Sequence, residues 1–191
     1  MTTQTISDRL IYEISKGQPI YYKNYKQVLS KEYTIDDIMG CSALQGLIIA
    51  AVLRFLYNNT DEKQYAVFTN EWGLKGQNLL RAADIAIYER KDLVGYTFTN
   101  KYITLPPKIV IEVDIKADTE NFDTPIDYYH QKTQDLLDFG VETVIWITTQ
   151  SQKIMIATND NAWTTYNWTH EIALLPNCTF SLQDLLDKEV F

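Results

Sequence analysis

Hydrophobic and polar residues follow two different spacings along the first two thirds of the chain. Between residues 42 and 57 the apolar side chains recur every three or four positions, which is the spacing of one helical face. Three stretches rich in β-branched and aromatic residues follow, at 65–74, 79–88 and 108–116. The pattern predicts a long helix followed by a three-stranded meander.

The next segment has the signals of a strand, a helix and a strand. A helix is predicted over 124–139, because Pro125 occupies a first-turn position and Gly140 is a typical C-terminal cap. The run at 143–148 is continuously β-branched and aromatic, as in a buried strand. Together with the strand at 108–116, these elements predict a right-handed parallel crossover and an α/β fold.

The two ends of the chain extend this fold. Residues 30–191 are predicted to form one domain, which ends with a hairpin over 153–158 and 163–168 and a short helix capped by Ser181. Residues 1–29 form a tyrosine-rich arm. A short hairpin at a sheet edge is predicted there from the near-alternation of its apolar residues Ile20, Tyr21, Tyr22, Tyr25 and Val28.

Composition and charge narrow the functional classes. The net charge of −8 is unlike that of a generic DNA binder, so an acidic nuclease would need metal ions and a local basic rim facing its substrate. The distant Cys41 and Cys178 give no disulfide framework or zinc spacing, which favours a reducing compartment. No basic segment followed by an apolar run begins the chain, and the longest apolar stretch, 47–53, is far short of the ~20 residues of a bilayer span. We expect a cytoplasmic protein without membrane contact.

The strand at 108–116 contains the most informative chemistry. Side chains alternate across a strand, so Val110, Glu112, Asp114 and Lys116 are predicted to share one face. Such a charged face is costly to bury without a partner such as a metal ion. The alternative is a strand near the sheet edge, with this face in water.

A second carboxylate, Asp84, stands among small and apolar residues of the strand at 79–88. It could be a turn or bulge residue that accepts hydrogen bonds from backbone amides. The alternative pairs Asp84 with Glu112 on the neighbouring strand, where two carboxylates repel unless a cation lies between them. Mg²⁺ or Mn²⁺ prefers such oxygen ligands.

Three segments together resemble a known family. R-A-A-D-I-A-I, P-P-K-I-V-I-E-V and K-T-Q-D-L-L-D-F-G-V-E-T-V-I-W-I are similar to the Uma-type family of putative restriction endonucleases, within the PD-(D/E)XK nuclease superfamily. The resemblance covers roughly residues 18–185. It implies a restriction-endonuclease-like mixed β-sheet flanked by helices. It also implies a metal-dependent endonuclease that hydrolyses phosphodiester bonds in DNA, with Mg²⁺ or Mn²⁺ as cofactor.

The resemblance assigns roles by position. The family's first acid falls on Asp84, its second on Glu112, and its lysine on Lys132, eight residues before Gly140. The backbone carbonyl of Val113 would be a further metal ligand. We prefer Lys132 because its spacing from Gly140 matches the family, although taken alone it would be an ordinary surface lysine of a helix.

A literal D-x-K, formed by Asp114 and Lys116, competes with this assignment. Spacing supports Lys132 weakly, because Tyr128, Lys132 and Asp135 lie on one face of the predicted helix, which could point over the carboxylates.

The sequence also departs from the family pattern. Ala83 stands where the superfamily has proline, Gln45 where relatives often have His, and Asp114 and Lys116 are additional charges. We treat Gln45, Asp114 and Lys116 as possible accessory residues. A second interpretation is therefore a catalytically decayed module that serves nucleic-acid binding or protein interaction. The aromatic arm further suggests a homodimer.

Overall fold

The computed structural model describes residues 6–160 and 163–189. Its core is an eight-stranded sheet with helices on both faces, and a smaller two-stranded sheet lies beside it. The helices are α1 (Tyr25–Leu29), α2 (Asp36–Met39), α3 (Ala43–Asn59), α4 (Pro125–Phe139) and α5 (Leu182–Asp187). The strands are β1 (Ile11–Ser15), β2 (Gln18–Tyr21), β3 (Tyr65–Gly76), β4 (Leu79–Glu89), β5 (Ile109–Val113), β6 (Thr143–Thr148), β7 (Lys153–Thr158), β8 (Trp163–Asn167), β9 (Glu171–Leu175) and β10 (Cys178–Ser181).

The strand order of the main sheet is β2, β1, β4, β5, β6, β7, β8, and β3 pairs with β4 away from this path. Strands β3, β4 and β5 form the predicted antiparallel meander. Strand β6 runs parallel to β5, so α4 forms the crossover that the sequence predicted. Strands β7 and β8 add the predicted hairpin. Asn161, which belongs to the turn predicted between these two strands, lies outside the described residues.

Local sequence signals fix both ends of α4. Thr124 and Asp127 form a reciprocal capping box at its start, where Pro125 needs no hydrogen-bond partner for its nitrogen. Gly140 ends the helix at φ 113°, a left-handed conformation that favours glycine. The helix predicted over 124–139 is confirmed, as is the predicted cap Ser181, whose hydroxyl accepts from the backbone N–H of Asp184.

The two faces of the sheet are covered by different elements. Helix α3 packs its fully buried Ile48, Val52 and Leu56 on one face, where β9, β10 and α5 complete an apolar core. Helix α4 covers the other face. Strands β9 and β10, which were not predicted, therefore close the α3 side of the molecule.

The strand predicted over 108–116 is shorter than expected. It ends at Val113, because Asp114 adopts a left-handed conformation with φ 57° and turns its carboxylate to the backbone N–H (2.8 Å) and hydroxyl (2.6 Å) of Thr149. The predicted shared face is correct for Val110 and Glu112 and wrong for Asp114 and Lys116. A left-handed residue breaks the alternation on which that prediction depended.

The arm also differs from its prediction. A hairpin does lie at the sheet edge, but it consists of β1 and β2, while Tyr25 and Val28 belong to helix α1. Asn24, at φ 67°, lies between β2 and α1 and ends the extended backbone there. Because β1 pairs with β4, the hairpin is part of the main sheet. The division of the chain at residue 30 stays a prediction.

In the described parts of the chain, no helix is long and apolar enough to cross a membrane. Cys41, which is exposed, and Cys178, which is buried, are both free thiols.

Candidate active site

Strands β4 and β5 bring Asp84 and Glu112 together. Ile85 of β4 pairs with Ile111 of the antiparallel strand β5. Asp84 and Glu112 are the next residues toward the C-terminal end of β5, so they lie beside each other. Only 4% of Asp84 and 2% of Glu112 is exposed, so the alternative of a charged face in water is wrong for Glu112. The backbone N–H of Val113, the residue after Glu112, donates to Asp84 Oδ2 at 2.8 Å. This bond holds the Asp84 carboxylate close to the end of β5.

A bulge in β3 lies opposite Asp84. Thr69 pairs with Ile85 and Trp72 with Ala83, so two residues, Asn70 and Glu71, span the single position of Asp84. Both have positive φ angles, 71° and 51°. Bulges bend a strand and redirect its side chains. This one turns Glu71 toward the neighbourhood of Asp84.

Lys116 connects these two acids. Its Nζ lies 2.9 Å from Asp84 Oδ1 and 3.2 Å from Glu71 Oε1. Contrary to the prediction, Lys116 does not share a strand face with Glu112. The segment that follows β5 nevertheless brings its ammonium group to the Asp84 carboxylate. The two neighbouring charges raise the pKa of Lys116 despite its partial burial.

Lys132 reaches the second acid from helix α4. Its Nζ lies 3.0 Å from Glu112 Oε2, 2.8 Å from Glu13 Oε1 and 2.8 Å from the carbonyl oxygen of Ala82. The side chain is 1% exposed. An ammonium group has three hydrogens, so these three acceptors use its whole donor capacity.

Glu13, in β1, is a site residue that the sequence analysis missed. Its Oε2 accepts from Arg81 Nη1 at 2.5 Å and from the Tyr128 hydroxyl at 2.8 Å, while Oε1 contacts Lys132. Burial would raise the pKa of Glu13, but Lys132 and Arg81 outweigh it and lower that pKa. A lone Glu in an amphipathic arm gave no sign of this burial, which depends on the pairing of β1 with β4.

Arg81 extends the network away from the two acids. It lies two residues after the start of β4 and pairs with Glu13 and with Asp135 of α4. Asp135 also accepts a hydrogen bond from the Ser15 hydroxyl at 2.6 Å. The helix face predicted from spacing, with Tyr128, Lys132 and Asp135, is buried against these charges.

Glu112 is the least compensated member of the site. Its Oε1 is buried and has no hydrogen-bond partner among residues 6–160 and 163–189. Burial, reinforced by Asp84 and Glu13 and opposed by Lys132, raises the pKa of Glu112 from 4.5 to about 8. In the absence of a bound cation, the surrounding side chains therefore favour the protonated form of Glu112 near neutral pH.

Of the remaining accessory candidates, Gln45 is part of the site and Asp114 is not. Gln45 Nε2, from α3, donates to the carbonyl oxygen of Val113 at 2.7 Å and lies 3.5 Å from Asp84 Oδ2. Asp114 instead bonds Thr149. Within the described ranges, no group of three or more His, Cys, Asp or Glu residues could hold a metal ion, so a metal here would depend on two carboxylates and main-chain oxygen.

Comparison with known proteins gives a structural match. No family model matches the chain, and no curated protein matches it significantly. Among solved structures, the chain is similar to the crystal structure of a putative nuclease belonging to DUF820 from Anabaena variabilis ATCC 29413. The TM-score is 0.68 at 11% identity, over 92% of this chain and 89% of that one.

The two proteins share a fold. The α/β class predicted from the sequence, with a large mixed sheet flanked by helices, is thereby confirmed. Membership of the Uma-type family and the roles of the individual site residues stay predictions.

Proposed function

We propose that this protein is a metal-dependent endonuclease that hydrolyses phosphodiester bonds in DNA. The observation that supports it most is the buried Oε1 of Glu112 beside Asp84, which has no hydrogen-bond partner in the described part of the chain, because such an oxygen is costly unless a cation approaches it. A fold shared with a protein described as a putative nuclease agrees with the proposal.

The charges around Glu112 fit an additional cation. The ion pairs around the two acids contain five acids and three bases, which are Glu13, Glu71, Asp84, Glu112 and Asp135 against Arg81, Lys116 and Lys132. With every group ionised, five negative and three positive charges leave two negative charges uncompensated. Asp84, Glu112 and the Val113 carbonyl would hold Mg²⁺ or Mn²⁺, which would polarise the phosphodiester and acidify a bound water.

Lys132 and Lys116 have different roles in the proposed site. Lys132 is held by Glu13 and the Ala82 carbonyl, so it fixes the orientation of Glu112 and has no hydrogen left for a water or phosphate. This geometry makes Lys132 a positioning residue. Lys116 is 15% exposed, whereas Lys132 is 1% exposed, so the ammonium group of Lys116 is the better placed of the two to meet a phosphate oxygen.

The test is a cleavage assay on single- and double-stranded DNA and on RNA, with Mg²⁺ or Mn²⁺ and with a chelator. Asp84→Asn and Glu112→Gln keep the shape of the site and remove its charge, so each should abolish cleavage and calorimetric Mn²⁺ binding. Glu142→Gln, at a residue whose side chain is 59% exposed, is the matched control and should leave both unchanged. Cleavage that persists in either site variant would contradict the proposal.

One observation favours the second candidate, a module without catalytic activity. Lys116 already neutralises Asp84, and Gln45 already satisfies the Val113 carbonyl, so two of the three proposed ligands have partners. In that case the wild type would bind no Mn²⁺ and cleave nothing, yet still bind nucleic acid or a protein. The homodimer stays a prediction that the elution volume on a sizing column would test.

A further inference from the structure

We infer that a pocket lined by aromatic rings beside the candidate site binds an unpaired nucleobase of the substrate strand. The aromatic pocket, as we call it, has a volume of about 290 Å³ and lies between residues 69–73 of β3 and loop residues 96 and 98–103. Small-molecule sites begin at roughly 300 Å³, so this space suits one planar group rather than a length of chain. The inference rests on the proposed function, since it names the form of nucleic acid which that site would receive.

The rings of the aromatic pocket are partly rigid and partly exposed. Trp72 stacks on Phe68 with ring centroids 4.2 Å apart, and its indole N–H donates to the Tyr88 hydroxyl at 3.1 Å. Phe98 and Tyr102, at the rim, are 54% and 50% exposed. Exposed aromatic rings around a fixed indole are the arrangement on which nucleic-acid bases stack.

The aromatic pocket is continuous with the candidate site. Glu71, which lines it, also contacts Lys116, and Lys116 contacts Asp84. Tyr102 lines both this pocket and a smaller cavity of about 90 Å³ that reaches Arg81 and Ala82. Glu71 therefore belongs to both sites, so a base held in the aromatic pocket would lie next to the residue that contacts Lys116.

The position of Tyr102 is built into the backbone. Its ring lies directly on Gly73, where an added Cβ would be 2.0 Å from Tyr102 Cδ1. The next residue, Ile103, forms backbone hydrogen bonds with Gly73 and Lys75 at 3.0 and 2.8 Å. These bonds hold the loop against β3, so the rim of the aromatic pocket is ordered before any ligand binds.

The charge of the protein favours an unpaired base over a duplex. Duplex affinity comes mainly from basic side chains that neutralise phosphates, whereas this chain has a net charge of −8 and the aromatic pocket contains one cationic residue, Lys101. Stacking does not require positive charge, and base faces are accessible only where the strand is unpaired. Asn70 and Asn100 at the wall could bond base edges.

The test measures binding separately from cleavage. Fluorescently labelled single-stranded DNA, single-stranded RNA and blunt duplex DNA are titrated with the protein, once with a chelator and once with Ca²⁺. The variants are Phe98→Ala and Tyr102→Ala. Tyr57→Ala is the matched control, because it removes an aromatic ring that is 61% exposed on α3, outside the aromatic pocket.

We expect the wild type to prefer single strands and each pocket variant to weaken that binding about tenfold, because each variant removes a ring on which a base would stack. Duplex binding and the Tyr57→Ala variant should be unaffected. Wild type that binds no single strand, or pocket variants that bind single strands as well as wild type, would overturn the inference. Because hydrolysis is not needed for this readout, failure of the nuclease proposal would appear separately, as binding without cleavage.

Discussion

The two faces of the main sheet are built from the same strands and have opposite chemistry. On the α3 face, Ile85 and Ile111 pack against a helix whose buried side chains are hydrocarbon apart from Gln45. On the α4 face, an apolar cluster surrounds a buried network of charges in which Glu112 meets Lys132. Burial of hydrocarbon stabilises a fold without further conditions, whereas buried charges need partners on every side. The α3 face therefore contributes mainly stability, whereas the α4 face also holds the groups that could perform chemistry.

Removal of Lys132 should have the largest effect. Lys132→Ala would leave Glu13 and Glu112 buried without their shared cation, and loss of one partner of a buried ion pair costs about 3–5 kcal/mol. Urea denaturation at neutral pH measures this loss. Lys91→Ala, at a side chain that is 73% exposed, is the control and should change stability little. A loss as small as that of the control would show that the network does not support the fold.

The apolar face can be weakened to a comparable degree by a substitution of the opposite kind. Ile111→Ala deletes hydrocarbon at a fully buried position, at a cost of about 3 kcal/mol. Unlike a change on the α4 face, this cost should be the same at pH 6 and pH 9 and with or without Mn²⁺. Ile126→Ala, at a residue 54% exposed, is the control. A pH-dependent cost for Ile111→Ala would contradict the separation of the two faces.

The pH dependence of stability should come mainly from Glu112. Its pKa is raised from 4.5 to about 8 in the folded protein, so between these values the folded state holds a proton that the unfolded chain releases. Stability should therefore fall as pH rises through this window, by about 2 kcal/mol or more in the absence of divalent metal.

The variant Glu112→Gln, which has no proton to lose, should flatten this part of the curve. Glu13 has a lowered pKa, so its contribution is lost only at acidic pH, as pH falls through that pKa, and it does not mask the effect. Thermal or urea unfolding at a series of pH values is the measurement. An identical slope for wild type and Glu112→Gln would show that Glu112 is ionised throughout.

Replacement of Lys116 should have the smallest effect on stability and the most informative effect on metal binding. Lys116→Met removes a positive charge from Asp84, so Mn²⁺ affinity should rise about fivefold, a change of about 1 kcal/mol. Calorimetry measures the affinity, and the same variant in the cleavage assay tests whether Lys116 meets the phosphate. Unchanged affinity would mean that the ammonium group and the metal do not share Asp84. Lys26→Met, at an exposed lysine paired with Glu120, is the control.

Sequence signals that lie within one helix or strand were sufficient to predict that element. Pro125, Thr124 and Gly140 set the ends of α4, and runs rich in β-branched and aromatic residues predicted β4 and β6. The prediction over 108–116 was wrong beyond Val113, because the left-handed turn at Asp114 is imposed by its bonds to Thr149, a residue distant in sequence. A local sequence pattern gives no sign of a hydrogen bond to a distant residue.

The sequence alone predicted α3, α4 and most strands of the main sheet in their α/β order, and it singled out Asp84 and Glu112 as candidates for a shared site, since spacing and alternation are properties of a few consecutive residues. Only the tertiary structure decided that Glu13 from the first strand neutralises Lys132, and that Lys116 returns to Asp84 from a different direction. The free energy of a buried charge depends on every group around it, and those groups come from segments that only folding brings together.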